Sequence, residues 1–371
     1  MDTMDTMTTK TSPSGGLEGV VVADTRLSEV DGERGRLVVA GHDIERLTGA
    51  VSFEDVAALL WSGALPTPAA REELRRELAA ARVDAFARLD DLGDALALAG
   101  GMDALRAATA HLSADRGFDG PARLTGAVAV FAAAWCRRRD GAAPLAPDPA
   151  LPHAADTLRM LTGRDPAPAL AAGLDAYLVT VADHGMNAST FAARVVTSTG
   201  SDLVSAIVAA IGALKGPLHG GAPGPVLDML DAIGEPANAA AWIDAELAAG
   251  RRIMGMGHRI YRVRDPRAAV LERAIARLEA HGASTGRLAL ARAVEQAAEG
   301  ALKAKYPGRP LAANVEFYTA VLLDTLGLGR AAFTPTFAVG RVAGWCAHVA
   351  EQRATGRLIR PASRYVGPPP A

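Results

Sequence analysis

Aliphatic residues recur at helical spacing along most of this chain, and few aromatic residues accompany them. Between positions 71 and 89, one helical face carries Leu74, Leu78, Ala81 and Ala85. Half of the 371 residues are hydrophobic but only 5% are aromatic, so the core must be aliphatic and rich in alanine. This favours closely packed helices over a β-sandwich. We therefore predict an all-α fold, with two lobes because the chain exceeds the usual size of one core.

Local signals predict where several elements begin and end. Ser52 is typical of a helix N-cap, and Gly63 is typical of a helix stop. Two β-compatible runs, residues 19–22 and 37–39, predict a small N-terminal β-hairpin. Residues 1–16 lack both the basic and the apolar region of a secretory signal, so we expect a disordered tail there.

Charge and cysteine content argue against several classes of protein. The net charge is −2, and no cluster of lysine and arginine is interleaved with aromatic residues, so we expect no nucleic-acid partner. The two cysteines, Cys136 and Cys346, are too few for a disulfide framework and lie in no metal-ligand spacing. No uninterrupted apolar run reaches membrane-spanning length, and we expect a cytoplasmic protein.

Three short motifs place ionisable side chains among glycine, proline or apolar residues. They are GPLHGGAPGP (216–225), GMGHRIYRVRDPR (255–267) and NVEFY (314–318). Their side chains His219, His258 and Glu316 can together move a proton on and off a carbon beside a carbonyl. Apolar neighbours of Glu316 favour a raised pKa. Structural interpretations stay open: His219 can cap a helix, and Glu316 can lie exposed on an amphipathic turn.

Arginine residues in or near motifs suit a substrate with several carboxylates. Arg267 follows Asp265 and Pro266, which are typical of a helix N-cap and of the first helical position. Arg341 lies in the apolar segment FAVGRVAGWCAHV, where a buried guanidinium needs either a ligand or a structural ion pair. Arg360 lies near the C-terminal end. These residues predict an enzyme that acts on a small polyanion.

The chain resembles the citrate synthase family over essentially its whole length after the tail. Six motifs carry the resemblance, in the family's order: DHGMNAST, KGPLHGGAP, GMGHRIYRVRDPR, NVEFY, GRVAGW and RLIRPASRYVG. The resemblance implies an all-α homodimer, whose chains each have a large helical domain (17–222 and 326–371) and a small domain (223–325) that closes over the active site. It also implies condensation of acetyl-CoA with oxaloacetate and hydrolysis of the citryl thioester, with no permanently bound cofactor.

The same resemblance implies a role for seven residues. His219 would donate a hydrogen bond or proton to the thioester carbonyl, and Glu316 would remove the methyl proton. His258 would polarise the ketone of oxaloacetate. The residues expected to hold the oxoacid carboxylates are His184, Arg267, Arg341 and, from the partner subunit, Arg360. The histidines have no compact metal-binding spacing, so no metal is expected.

Several positions depart from the family pattern. The family's base is usually an aspartate, and Glu316 is one methylene longer. This puts the rate in question, because a displacement of about 1 Å can cost about a hundredfold. Gly185 stands where a glutamate usually follows the histidine, and Pro-Gly-Pro (223–225) replaces the commoner Asn-Glu-Ala. These differences concern rate and substrate more than fold.

Three functions stay open on the sequence, and a different oxoacid acceptor is a further possibility because the carboxylate-binding residues are generic. The leading one is a citrate synthase. The second is a 2-methylcitrate synthase that uses propionyl-CoA, because one methylene in an apolar pocket discriminates by only about 1–3 kcal/mol. The third is a weakly active or inactive paralogue that binds CoA or a dicarboxylate, which the departure at Glu316 favours.

Overall fold

The protein is mostly helical. The computed structural model describes residues 17, 19–220, 223–283 and 286–369, so the tail expected at 1–16 lies outside the described residues. Within them, the α-helices are α1 (Ile44–Leu47), α2 (Phe53–Ser62), α3 (Pro68–Phe86), α4 (Gly101–Ala110), α5 (Pro121–Arg139), α6 (His153–Thr162), α7 (Pro168–Val181), α8 (Ala188–Ser198), α9 (Leu203–Leu214), α10 (Pro223–Ile233), α11 (Ala239–Ala248), α12 (Pro266–Ala280), α13 (Arg287–Lys305), α14 (Val315–Thr325) and α15 (Phe333–Thr355). None of these helices is long and apolar enough to cross a membrane.

A small antiparallel sheet precedes the helices, as predicted, but its first strand lies elsewhere. The strands are β1 (Ser28–Asp31), β2 (Arg36–Val39) and β3 (His42–Asp43), in the order β1-β2-β3. β1 pairs with β2 so that Ser28 faces Val39. The strand predicted at 19–22 was wrong, because the partner of β2 comes from a polar segment in which only Val30 is aliphatic.

Helices α5 and α15 form the centre of the core. Both are buried along almost their whole length, and alanine and aliphatic residues fill the space around them. Glycines on α15 allow a close approach: a Cβ added to Gly340 would lie 2.6 Å from Val181 Cγ2, and one on Gly344 would lie 2.9 Å from Asp183 Oδ1. The end of α7 and the loop after it can therefore pack directly against Arg341.

The predicted helix ends are confirmed. Ser52 caps α2, and its side chain accepts a hydrogen bond from the backbone N–H of Asp55, whose carboxylate accepts one from the backbone of Ser52. Gly63 ends this helix in the left-handed conformation, with φ +82°. Asp265 caps α12 with Pro266 at its first position, which places the following arginine in the first helical turn.

Candidate active site

The loop between α7 and α8 (residues 182–187, the His184 loop) buries a histidine. His184 is 7% exposed, and its Nε2 lies 3.1 Å from Tyr261 Oη. Burial, and then the charges of Arg267 and Arg341, hold the pKa of His184 well below its usual value. The ring is therefore neutral at physiological pH. Asn187 closes the loop as the N-cap of α8.

A second loop (residues 255–265, the His258 loop) presents another neutral histidine. Nδ1 of His258 accepts hydrogen bonds from the backbone N–H groups of Ile260 (3.0 Å) and Tyr261 (3.1 Å). The ring proton must therefore be on Nε2, which is left as a donor. Burial, followed by the charge of Arg267, lowers the pKa of His258 to about 4. Its ring centroid lies 5.7 Å from that of His184.

Asn314 joins the His258 loop to the helix that carries the candidate base. Its backbone N–H donates to Gly255 O at 2.9 Å, and its side-chain amide donates to Gly257 O at 2.8 Å. Its Oδ1 accepts a hydrogen bond from the backbone N–H of Glu316 at 3.0 Å and so caps α14. Glu316 is thus held in the first turn of α14, beside the His258 loop.

Glu316 has the pKa of a base that works near neutral pH. Its side chain is only partly accessible, and desolvation raises the pKa of its carboxyl group to about 7. Arg267 and Arg341 oppose this shift, while Asp265 adds to it. The raised pKa expected from its apolar neighbours is therefore present, and the exposed position on an amphipathic turn is not observed.

Arg267 is buried and already paired with its own N-cap. Its Nη2 lies 2.8 Å from Asp265 Oδ2, and its Nε donates to Asp265 Oδ1 at 3.1 Å. Asp265 Oδ2 also accepts from the backbone N–H of Val315 at 3.2 Å, so one carboxylate ties this arginine to the start of α14. Burial lowers the pKa of Arg267, but Asp265 more than compensates and raises it above its usual value.

Arg341 is buried, and no carboxylate of the described residues is bonded to it. It is 1% exposed, its Nε donates to Val181 O at 2.5 Å, and its guanidinium lies 4.9 Å from the ring centroid of Phe337. Its Nη2 is buried without a hydrogen-bond partner among the described residues. Burial lowers the pKa of Arg341 to about 10. Because an unpaired buried donor is costly, this nitrogen indicates the position of an anionic ligand.

His219 lies at the end of the α9 segment and contacts a serine in the first turn of α8. Its Nε2 lies 2.8 Å from Ser189 Oγ, which also accepts a hydrogen bond from Trp345 Nε1 at 3.1 Å. Burial, followed by the charge of Arg341, lowers the pKa of His219 to about 4. Ser189 Oγ also donates to Asn187 Oδ1 at 2.8 Å, and in that arrangement it accepts from His219 Nε2. When the hydroxyl turns to donate to Nε2 instead, the ring proton of this neutral histidine is on Nδ1, which can donate to a substrate.

The structure brings together six of the seven predicted site residues. The pKa of His184 is affected by Arg267, Arg341, His258 and His219, and the same two arginines act on Glu316. Arg360 is the exception, because it is exposed on the irregular C-terminal segment. It lines a cavity of about 410 Å³ between that segment and residues 17 and 20–24.

The family of the chain follows from comparison with known proteins. The family model "Citrate synthase, C-terminal domain" matches residues 16–362. The chain belongs to the citrate synthase family.

Relatives within this family have two activities in their names. The "Citrate synthase" of Haloferax volcanii is 42% identical, over 95% of each chain. The "2-methylcitrate synthase" of Mycobacterium tuberculosis is 38% identical, over 95% of this chain and 90% of the relative. The structure is similar to the ternary complex of carboxymethyl coenzyme A and oxaloacetate with citrate synthase from Thermoplasma acidophilum, with a TM-score of 0.83, 29% identity and 97% of each chain covered.

The sequence did not single out the groups that support the site of this citrate synthase family member. Asp183 Oδ1 lies 3.0 Å from His348 Nε2, and His348 Nδ1 lies 2.8 Å from Arg194 Nη2, all buried. Burial would raise the pKa of Asp183, but His348, Arg341 and a hydrogen bond from Ser28 lower it to about 2. The position of Asp183 directly before His184 was the one available signal.

Ser189→Ala is expected to lower kcat by about 10-fold to 100-fold. It removes the hydroxyl that orients His219 and leaves Nε2 of that ring without its neutral hydrogen-bond partner. The KM for oxaloacetate should change little, because His184 and Arg341 are untouched. Steady-state kinetics with both substrates measure this. Ser205→Ala is a matched control: Ser205 bonds to its own N-cap, Asp202, in the first turn of α9. Equal losses in both variants would contradict the prediction.

Proposed function

We propose that this protein condenses acetyl-CoA with oxaloacetate and hydrolyses the resulting thioester to citrate and CoA. The observation that carries the proposal is Glu316, a carboxyl group with a pKa of about 7 that lies within the fields of Arg267 and Arg341. Such a group is a base strong enough to take part in carbon acid chemistry when the developing charge is stabilised. The name of the Haloferax relative and the ligands of the Thermoplasma complex support the same reaction.

In the first step, Glu316 takes a proton from the methyl group of acetyl-CoA. The electrons of the broken C–H bond form the carbon–carbon double bond of the enol, and negative charge develops on the thioester oxygen. His219 donates a hydrogen bond from Nδ1 to that oxygen. A neutral imidazole can do this when the Ser189 hydroxyl turns from Asn187 Oδ1 to donate to its Nε2, because the ring proton is then on Nδ1.

In the second step, the enol carbon attacks the ketone carbon of oxaloacetate. His258 Nε2–H donates to the ketone oxygen, which takes up the electron pair of its C=O bond. His184, Arg267 and Arg341 hold the carboxylates, and the unpaired Nη2 of Arg341 gains its missing partner. The former ketone oxygen takes up one proton and becomes a hydroxyl, which balances the proton that Glu316 accepted and then releases. Water then attacks the thioester carbonyl, the C–S bond breaks, and a proton of that water goes to the departing sulfur to give the CoA thiol.

The proposed active enzyme is a homodimer in which Arg360 reaches the partner's site. In one chain Arg360 lies outside the cluster, on a segment anchored by a hydrogen bond from Ile359 N to Ser198 Oγ. Exposed apolar residues on the same segment, Leu358, Tyr365 and Val366, support a protein contact there. A cytoplasmic location stays a prediction from the sequence.

We also propose the two-domain division with closure over the substrates. Residues 223–325 carry the His258 loop and α14, whereas His184, His219 and Arg341 lie outside that range. The site therefore lies where the two sets of helices meet, which is where closure would exclude water. The boundary proposed at 222 falls outside the described residues.

A second candidate activity is condensation of propionyl-CoA, to give 2-methylcitrate. The 38% identity to the Mycobacterium tuberculosis relative favours it. Because the extra methylene of propionyl-CoA changes binding by only about 1–3 kcal/mol, both donors must be compared directly.

The test is release of free CoA thiol from purified protein supplied with oxaloacetate and acetyl-CoA, with propionyl-CoA in parallel. Release that needs both substrates is expected, with the higher kcat/KM for acetyl-CoA. A higher kcat/KM for propionyl-CoA would establish the second activity instead. No release with either thioester would refute both and leave a paralogue that binds CoA or dicarboxylate.

A further inference from the structure

The β1–β2 hairpin contacts the His184 loop from one side. The Ser28 hydroxyl donates a hydrogen bond of 2.6 Å to Oδ2 of Asp183, the residue before His184. Val30 packs against Gly185, the residue after His184: a Cβ added to Gly185 would lie 3.3 Å from Val30 Cγ2. Gly185 has φ +61°, which glycine adopts without strain, so the loop keeps this turn against the hairpin.

The turn of the same hairpin lies on the His258 loop. The backbone N–H of Arg262 donates to Gly32 O at 2.9 Å. A Cβ added to Gly32 would lie 2.8 Å from the carbonyl carbon of Ile260 and closer still to its oxygen, a separation that real Cβ atoms do not show. This glycine therefore allows a contact between two backbones that any larger residue would prevent.

The two loops meet at the histidines. The rings of His184 and His258 are 5.7 Å apart, and Tyr261 of the second loop reaches back to His184 Nε2 at 3.1 Å. The hairpin spans this junction from the outside, because Ser28 lies at one end of β1 and Gly32 directly follows the other. One short element is thus bonded to both loops.

We infer that the β1–β2 hairpin positions the His184 and His258 loops relative to each other, with Ser28 and Gly32 as its positioning residues. The inference rests on the proposed function, in which both histidines act on the same oxoacid. A displacement of about 1 Å near reacting groups can cost about a hundredfold in rate. Loss of the hairpin contacts should therefore weaken the use of oxaloacetate and leave the acyl donor unaffected.

Gly32→Ala tests the contact with the His258 loop. The new methyl group pushes the turn away from Ile260, and the KM for oxaloacetate is expected to rise at least about tenfold, while the KM for acetyl-CoA stays within about twofold. Hydrogen exchange at the amide of Arg262 should also become faster, because its acceptor moves away. Kinetics and exchange mass spectrometry of a peptide covering 258–264 measure the two effects.

Gly41→Ala is the matched control. Gly41 lies in the β2–β3 turn with φ +87°, and apart from its chain neighbours no atom of the described residues lies within 4 Å of its hypothetical Cβ. Alanine there strains the same sheet without touching either loop, so both KM values and the exchange of Arg262 should match wild type. Ser28→Ala tests the other contact without added bulk, and should raise the KM for oxaloacetate by about tenfold.

Two results would overturn the inference. One is an equal rise in the KM for oxaloacetate in Gly32→Ala and Gly41→Ala, which would show a general effect of sheet stability. The other is faster exchange at Arg262 with an unchanged KM. If Gly32→Ala does not fold, an unchanged KM in Ser28→Ala overturns the inference by itself.

The two proposals fail separately. If wild-type protein releases no thiol, the proposed function fails, and calorimetric titration of oxaloacetate into wild type and Gly32→Ala still tests the hairpin. Weaker binding in the variant would support its positioning role, and equal binding would refute it.

Discussion

Glu316→Gln is expected to lower kcat by about 10²-fold to 10⁴-fold, the usual contribution of a positioned general base. The amide keeps the shape of the side chain but cannot take up the methyl proton. The KM for oxaloacetate should stay near the wild-type value, because Arg267 and Arg341 are retained. Thiol release under saturating acetyl-CoA and oxaloacetate measures the loss.

The pH profile of wild type gives an independent check on the same residue. The base works only when it is ionised, so kcat/KM should rise with pH through about 7, the pKa of Glu316, and then level off. Glu299→Gln is the matched control, since desolvation also raises the pKa of Glu299 on α13, outside the site. Full activity in Glu316→Gln, or the same loss in Glu299→Gln, would refute the assignment.

Glu316→Gln should also stabilise the protein at alkaline pH. The pKa of Glu316 is about 7 in the folded chain, against 4.5 for an unperturbed glutamate. The folded state therefore holds this proton more tightly, and stability falls as pH rises from about 4.5 to about 7. Glu316→Gln removes this pH-dependent loss of folding stability. Its Tm should exceed that of wild type at pH 8 and differ less at pH 5.

Helix ends and motif residues were predictable because their signals are local. Ser52, Gly63 and Asp265 each act through a backbone conformation or a hydrogen bond within a few residues of themselves, and all three are confirmed. The first strand could not be found in the same way. β1 is polar, and it becomes a strand only because β2 offers it a partner across a short turn.

The site itself was predictable only in part. The residues proposed to bind substrate lie in motifs, so the resemblance to the citrate synthase family could predict them. The supporting groups act over long stretches of sequence: Ser28 reaches Asp183, and Arg194 reaches His348. Nothing in the neighbourhood of Ser28 or Arg194 marks them, because their partners are set by how helices and hairpin pack. Such contacts need the three-dimensional structure.

Arg341→Met is expected to raise the KM for oxaloacetate by roughly 30-fold to several thousand-fold. Removal of one partner from a buried, hydrogen-bonded charge pair costs about 2–5 kcal/mol, and each 1.4 kcal/mol is a factor of about ten. The KM for acetyl-CoA should change little, since the guanidinium is proposed to bind the oxoacid. Steady-state kinetics with each substrate varied in turn measure the difference.

Arg82→Met separates this effect from the general cost of losing a buried arginine. Arg82 is 0% exposed and already paired: its Nε donates to Asp156 Oδ2 at 2.7 Å, and its Nη2 donates to Leu151 O at 3.1 Å. Its loss leaves a buried carboxylate without its main partner and should cost about 3–5 kcal/mol of stability, with both KM values unchanged.

Arg341→Met should show the opposite pattern in thermal unfolding without ligands. Nη2 of Arg341 has no partner among the described residues, and burial disfavours its charge. The variant therefore loses mainly the bond from Nε to Val181 O and should lose much less Tm than Arg82→Met. Oxaloacetate should then raise the Tm of wild type and not that of the variant. A large loss of Tm in Arg341→Met with an unchanged KM would mean that this arginine is structural and that the carboxylates are held elsewhere.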